Sequence, residues 1–289
     1  MTGSSGGRRR ARLAEVWRAF RDNRLATAGL VALLLIVVGC FLGPLVWRTD
    51  QVHTDLGGAF TSPGGGHPLG TDDLGRDVLG RLMAAGQVSL VVGAVAAVIA
   101  TGIGALYGAL AGYLGGVVES VMMRVVDAAI SIPTLFVVLF ISSLAPPTVP
   151  TLVVAIAATS WLVPARIVRG EALTLRGLGF VRMVRLLGGG PVRAVGAHVL
   201  PNAVSTIVVN ATFQIADAIL TIATLSFLGL GPRPPTANWG GMLTGGLDNE
   251  YSGYWWTIYP AGLAIVLTVV AINMVGDGLR DALSPQSAR

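Results

Sequence analysis

Residues 82–118 read LMAAGQVSLVVGAVAAVIATGIGALYGALAGYLGGVV, which is 37 consecutive positions without a charged side chain. A helix that crosses the hydrocarbon of a bilayer needs about 20 mostly apolar residues. The stretch is therefore too long for one straight span, and it is interrupted by the glycine-rich GYLGG at 112–116. We predict one membrane helix near 84–111 and the start of a second near residue 117.

The composition agrees with lipid as the solvent. Of the 289 residues, 53% are hydrophobic and 12% are charged, and the mean hydropathy is +0.71. Soluble domains carry about 25% charged residues. The basic pI of about 10.1 does not indicate a nucleic-acid partner, because the arginines cluster beside the hydrophobic stretches, as membrane topology requires.

Four further apolar stretches complete the set of spans. With the helix that begins near 117 and ends before Pro146, they predict an all-α membrane protein with six transmembrane helices. The predicted stretches lie at 25–47, 149–165, 203–228 and 256–276. The chain then divides into a cytoplasmic amphipathic segment 1–24, helix 1 at 25–47, an external loop 48–83, a five-helix core 84–285 with a polar loop at 166–202, and a tail 286–289.

Arginine placement predicts the orientation. Segments 1–24, 166–202 and 280–289 hold seven, six and two arginines, and with six spans all three lie on one side of the membrane. The positive-inside rule places that side, with both termini, in the cytoplasm. The N-terminal segment spaces Leu13, Val16, Trp17 and Phe20 along one helical face. This pattern fits either a helix on the inner leaflet or one packed on the rest of a complex.

The sequence predicts no catalytic or metal site. All 20 basic residues are arginine, so the lysine of a phosphate-binding P-loop is missing. The single cysteine, Cys40, excludes an intrachain disulfide and a cysteine-based metal cluster. The three histidines, His53, His67 and His198, are isolated in sequence. We therefore predict a chain that is not an enzyme and that binds no cofactor itself.

The cytoplasmic loop 166–202 resembles the EAA loop of importer-type ABC permeases. The resemblance rests on Gly188 followed after thirteen residues by Pro201 in a Leu-Pro pair. Where that family has Glu-Ala-Ala, six residues before the glycine, this chain has Arg182-Met183-Val184. In the family the loop forms a coupling helix that docks into the ATPase subunit. The resemblance thus assigns ATPase coupling to these positions: Arg182, Met183, Val184, Arg185, Gly188, Gly189, Leu200 and Pro201.

Further segments resemble the C-type permease subunit of oligopeptide, dipeptide and nickel importers. In family order they are HPLGTDDLGRDVLGR at 67–81, AGYLGG at 111–116, MRVVD at 123–127 with Ile132-Pro133, LSFLGLG at 225–231, WGGM at 239–242 and GDGLRDAL at 276–283. The matches span residues 67–285 in register. Their number and order make the resemblance specific, although each motif alone is weak.

The resemblance implies a type I ABC importer permease fold and a function in peptide uptake. It also implies a homologous second permease, two ATP-binding subunits that carry ATP and Mg²⁺, and an external peptide-binding protein. Nickel or glutathione transport within the same family is an alternative substrate class. An ion-coupled secondary carrier that needs no ATPase is the alternative mechanism.

Individual residues inside the spans carry separate predictions. Gly104, Gly108 and Gly112 are spaced by four, which favours close helix packing in lipid. Asp127 and Asp217 are candidates for lining a pathway, because ionisable groups in membranes are costly and often functional. For Asp127 an ion pair with Arg124 is the favoured interpretation, whereas Asp217 has no partner nearby in sequence. The loop 229–255 is predicted to be mostly solvated, with contact to an external protein or to the partner permease as an equal alternative.

Overall fold

The computed structural model describes residues 5–179, 181, 183, 190–247 and 249–283, with the side chains of all of these except 5–13 and 250. Within these ranges the ordered elements are helices. The ten principal ones are α1 Ser5–Asp22, α2 Arg24–Val46, α3 Val78–Leu114, α4 Gly116–Ile130, α5 Thr134–Ser143, α6 Val149–Ser160, α7 Leu162–Arg176, α8 Val204–Phe227, α9 Trp239–Leu247 and α10 Tyr259–Leu283.

Six membrane spans can be formed from these helices. Four stretches are long and apolar enough to cross alone: α2, α3, α8, and α10 together with the turn that precedes it. Two bent pairs supply the other two spans, α4 with α5 at an angle of 78° and α6 with α7 at 42°. The predicted total of six corresponds to these four helices and two pairs.

The 37 residues of α3 form one uninterrupted helix, so the predicted limits 84–111 were too narrow. Asp77 caps its first turn, where Asp77 Oδ1 accepts a hydrogen bond from Gly80 N at 2.7 Å. Gly115, with a φ of 65°, ends the helix in a conformation that favours glycine. The charged Arg81 is accommodated in the first turns because its Nε lies 3.3 Å from a carboxylate oxygen of Asp72.

The third predicted span is broken at Pro133 and is not one helix. Proline has no N–H to continue the ladder, and its ring disfavours helical geometry at the residue before it. The chain therefore leaves α4 after Ile130 and restarts as α5 at Thr134, with Pro133 at ψ 119°. The prediction of an uninterrupted span from 117 to Pro146 was wrong for this reason.

The fourth span also continues beyond its predicted end at residue 165. α7 runs to Arg176, because two ion pairs neutralise its first arginines: Arg166 pairs with Asp127 and Arg169 with Glu119. The bend before α7 has a local cause. Pro164 cannot donate to the carbonyl of Ser160, and the side-chain amide of Gln214 on α8 donates to that carbonyl instead.

The contact between α3 and α7 is made through the three predicted glycines. A Cβ at Gly104 would lie 2.5 Å from the carbonyl oxygen of Trp161, and one at Gly108 would lie 2.2 Å from that of Ala165. At Gly112 the nearest atoms belong to Arg169 and Ala172. Since no larger side chain fits there, the backbones of α3 and α7 approach closely along more than two turns.

The segments 47–77 and 229–255, predicted to be external, fold onto the N-terminal end of α3. Asp77 accepts a hydrogen bond from Trp47 Nε1 at 3.0 Å and contacts His67 Nδ1 at 2.9 Å. His67, although isolated in sequence, therefore has a partner in the structure. The loop 229–255 was predicted to be mostly solvated, and this was wrong. It contains α9, which packs on the rest of the chain. Trp239 of this helix is 1% exposed and donates through Nε1 to the carbonyl of Leu82 at 3.0 Å.

At the other end, α1 packs partly on the helical bundle. Phe20 is buried in a cluster with Ala26 and Ala282, whereas Trp17 is exposed. The buried side of α1 therefore rests against the end of α10, and its exposed aromatic ring remains available for the membrane interface.

Candidate functional site

A stripe of mostly polar side chains runs along one face of α8. The positions are spaced by four, three, four, four and three residues, which keeps them on one side of a helix with 3.6 residues per turn. We call this set the α8 stripe; its members are Thr206, Asn210, Phe213, Asp217, Thr221 and Thr224. Other faces of α8 pack on α3 and α10. Within the stripe Asp217 and Thr224 are exposed, Thr206, Phe213 and Thr221 are partly buried, and Asn210 is buried.

Asp217 lies near the middle of this stripe with its side chain exposed on the surface of the chain. Its carboxylate forms no ion pair with any residue in the ranges given above. Its backbone carbonyl accepts from Thr221 Oγ1 at 2.8 Å, as expected for a hydroxyl within a helix. A charged side chain facing lipid is costly, so this face requires water or another protein surface.

Of the stripe residues, only Asp217 is singled out from the sequence, and the stripe is not identified there as a unit. The signal was present, since Thr206, Asn210, Thr221 and Thr224 recur at helical spacing around Asp217. Each of these side chains alone is common in membrane helices. Their alignment becomes informative only when the helix limits and the packed faces are known.

At the N-terminal end of α8 the stripe opens into a cleft of about 530 Å³ between α7, α8 and α10. We call it the inner cleft; its lining residues are Ile167, Ser205, Thr206, Val209, Asn210, Phe213, Arg280 and Leu283. Asn210 is only 9% exposed, and its Oδ1 has no hydrogen-bond partner among the described residues. Arg280 is exposed at the same cleft.

In sequence, the predicted coupling residues lie between Ile167 and Ser205, which both line the inner cleft. Arg182, Val184, Arg185, Gly188 and Gly189 lie outside the described residues. Of the others, Met183 is exposed, and Leu200 packs against the buried cluster that contains Val199 and Ala203. Leu200 and Pro201 belong to short helical turns at 191–202 that lead directly into α8.

Asp127 pairs with Arg166 of α7 and not with Arg124, which corrects the predicted partner. The second pair, Arg169 with Glu119, joins the same two helices. A separate hydrogen bond joins α3 to α4, from the hydroxyl of Tyr107 to the carbonyl of Met122 at 3.0 Å. Asp127 is thereby part of a connection between α4 and α7, whereas Asp217 belongs to the stripe on α8.

The described part of the chain holds no group of three or more histidine, cysteine, aspartate or glutamate side chains that could hold a metal ion. The chemistry of the stripe and the cleft is that of hydrogen bonding and charge, with no nucleophile–base arrangement. Such a surface can bind and release a polar solute.

Comparison with known proteins identifies relatives over nearly the whole chain. Residues 104–289 match the family described as "Binding-protein-dependent transport system inner membrane component". Residues 12–63 match the "N-terminal TM domain of oligopeptide transport permease C".

Individual relatives extend the similarity across both regions. The dipeptide transport system permease protein DppC of Bacillus subtilis is 39% identical over 275 residues, which cover 95% of this chain and 86% of that protein. The oligopeptide transport system permease protein OppC of Bacillus subtilis is 38% identical over 267 residues, 92% of this chain and 87% of that one. OppC of Salmonella typhimurium is 40% identical over 271 residues, 93% of this chain and 89% of that one.

A family match over more than half of the chain agrees with the helical fold and its candidate membrane spans. The chain belongs to the family of binding-protein-dependent transport system inner membrane components, the membrane permease subunits of ABC importers, with their type I fold.

Proposed function

We propose that this chain forms half of the translocation pathway of an ATP-driven peptide importer in the bacterial inner membrane. The names of its relatives, which are dipeptide and oligopeptide permeases, support peptides as the substrate class. In this proposal both termini lie in the cytoplasm and a homologous second permease completes the pathway. An external binding protein delivers the peptide, and two partner subunits bind and hydrolyse ATP with Mg²⁺.

The observation that carries the proposal is the α8 stripe with Asp217 at its centre. A peptide in transit exposes amide groups and two terminal charges, which need polar partners while they cross the hydrocarbon. The stripe supplies hydroxyls, an amide and one carboxylate along a single line. Asp217 suits the peptide's amino-terminal ammonium, and the intervening threonines suit its backbone groups.

The connection between the coupling segment and the stripe supports a mechanism for ATP use. The segment 190–203 leads directly into α8, and α7 precedes the segment on the other side. α7 is packed against α3 through Gly104, Gly108 and Gly112 and is paired with α4 by two ion pairs. Movement of the segment by a docked ATPase would therefore shift α8 and its stripe relative to α3. This is alternating access driven by a two-state rearrangement.

Reconstitution tests the function. We expect proteoliposomes with this chain, its partner permease, two ATPases and the binding protein to accumulate a labelled peptide only with ATP. Nickel and reduced glutathione serve as alternative substrates in the same vesicles, and the chain alone serves as the control. Transport by the chain alone would overturn the importer assignment. Accumulation of nickel or glutathione, but not of peptide, would overturn the proposal that peptides are the substrate class.

Coupling is tested separately at Gly188, within the segment that the resemblance assigns to the ATPase. Gly188→Asp adds a charged side chain to the segment that is predicted to dock into the ATPase. We expect ATP hydrolysis to continue while peptide uptake falls, with normal insertion in the membrane. Arg8→Gln in the N-terminal segment is the control. Normal uptake by Gly188→Asp would contradict the docking assignment.

A further inference from the structure

The inner cleft contains an acceptor for which the described part of the chain supplies no donor. Asn210 Oδ1 is buried without a partner, although the great majority of buried polar atoms in native proteins are hydrogen-bonded. Such an atom needs an N–H or O–H donor, and because Asn210 lines the cleft, a bound molecule could supply one. Ser205 and Thr206 line the same cleft and add hydroxyls that can donate or accept.

Arg280 gives the cleft a fixed positive charge. Its guanidinium forms no ion pair with any residue that the structure describes. Asp277, three residues earlier on α10, is also exposed, but it does not line the cleft. A guanidinium facing open space in a cleft is suited to a carboxylate, which it can bind through two parallel hydrogen bonds.

One group combines a donor N–H with an adjacent carboxylate, namely the carboxyl-terminal residue of a peptide. We propose that the inner cleft binds this residue, with Asn210 Oδ1 accepting its amide N–H and Arg280 binding its carboxylate. Ile167, Val209 and Phe213 give the cleft apolar walls that accept varied side chains without selecting one. The inference rests on the proposed function, since it assigns one end of the substrate to one part of the pathway.

The position of the cleft also fixes the direction of the peptide. Asn210 and Asp217 are two turns apart on the α8 stripe, which corresponds to about 10 Å along the helix. An extended chain covers about 3.3–3.6 Å per residue, so about three residues span the interval. A peptide with its carboxylate in the inner cleft then places its amino terminus near Asp217. The carboxyl end leads on the way to the cytoplasm.

The test uses the complete importer in nanodiscs, without nucleotide and without the binding protein. Val209→Cys introduces a thiol in the cleft, while the only native cysteine of this chain, Cys40, is buried. The rate of maleimide labelling is measured with a free-carboxylate tetra-alanine and with its carboxyl-terminal amide. We expect the acid to protect the thiol at about tenfold lower concentration than the amide, since hydrogen bonds to charged groups are the stronger ones.

Two variants separate the two contacts. Arg280→Gln is expected to remove the difference between acid and amide, because both peptides then lack a charged partner. Asn210→Leu is expected to weaken protection by both peptides and to preserve their difference, because both retain the amide N–H. Arg124→Gln, an exposed arginine of α4, is the charge-matched control and should change neither result.

Equal protection by acid and amide in the importer that carries only Val209→Cys, or no protection by either, overturns this inference. ATP-driven uptake is measured with the same preparation in proteoliposomes after the binding protein is added. Uptake of peptide together with absent protection contradicts the inner-cleft site alone. Absent uptake with intact ATP hydrolysis contradicts the proposed function.

Discussion

The side-chain amide of Gln214 donates a hydrogen bond to the backbone carbonyl of Ser160, one span away. Pro164 leaves this carbonyl without its helical partner, so a residue of α8 completes the bonding of the bend between α6 and α7. In a membrane, a freed backbone group must find such a partner within the protein. α8 and the bent pair α6–α7 are thereby joined at the bend itself.

Replacing Gln214 should destabilise the bend. Gln214→Leu leaves the Ser160 carbonyl buried without a donor, and we expect a loss of about 1–3 kcal/mol in the free energy of unfolding. Thermal or denaturant unfolding of the purified permease complex in detergent measures it. In a Pro164→Ala background the alanine N–H can bond Ser160, so Gln214→Leu should cost less there. Equal cost in both backgrounds would show that this hydrogen bond does not carry the effect.

The glycines of α3 should differ sharply in their tolerance of alanine. Gly108→Ala places a methyl group 2.2 Å from the carbonyl oxygen of Ala165, which forces α3 and α7 apart. We expect a loss of about 1–3 kcal/mol in stability and reduced assembly with the partner subunits. Gly102→Ala is the control in the same helix, because no atom lies within 4 Å of a Cβ there. Similar melting temperatures for the two variants would contradict the packing.

Asp217 should be needed for transport and not for folding. Asp217→Asn keeps the shape of the side chain and removes its charge, so a peptide's amino-terminal ammonium loses its ionic partner. We expect ATP-driven uptake of a free-amine peptide to fall about tenfold, while an amino-acetylated peptide is affected less. Glu15→Gln on α1 is the control for removal of one negative charge. Unchanged uptake and unchanged pH dependence in Asp217→Asn would exclude a role in the pathway.

Asp77 should contribute most to holding the segment 47–77 against α3. It caps α3, accepts from Trp47 and contacts His67, so Asp77→Ala removes three interactions at once. We expect a cost of about 1–3 kcal/mol in unfolding free energy and faster proteolysis of loop 48–77. Asp73→Ala, an exposed carboxylate in the same loop, is the comparison. If both variants resist protease equally, the loop is held by other contacts.

Much of the fold could be predicted because lipid imposes a simple requirement on composition. The first span, predicted at 25–47, is α2 Arg24–Val46, and the fifth, predicted at 203–228, is α8 Val204–Phe227. Both are flanked by polar or glycine-rich residues that end the apolar stretch sharply. The motifs at 67–81 and 239–242 also fall in ordered external structure around α3 and α9.

The remaining differences come from interactions between distant parts of the chain. α7 extends past Arg166 because Asp127 and Glu119 neutralise its arginines, and these partners lie 39 and 50 residues away. The bends at Pro133 and before Pro164 arise because proline has no N–H to donate within a helix. Hydropathy averaged over a window of residues does not register this missing donor. Asn210 was overlooked because an asparagine within a span is unremarkable until its oxygen is found without a donor.

The length of α3 has a mechanical consequence. At about 1.5 Å per residue its 37 residues measure about 55 Å, well beyond the roughly 30 Å of hydrocarbon. Tilting within the usual range of up to about 40° leaves a surplus, so the rod protrudes into water. Its first turn holds the segment 47–77 through Asp77, and its second half packs closely against α7 through Gly104, Gly108 and Gly112. A small tilt imposed on the end that packs against α7 would therefore displace the segment 47–77 at the opposite end, as a rigid lever does.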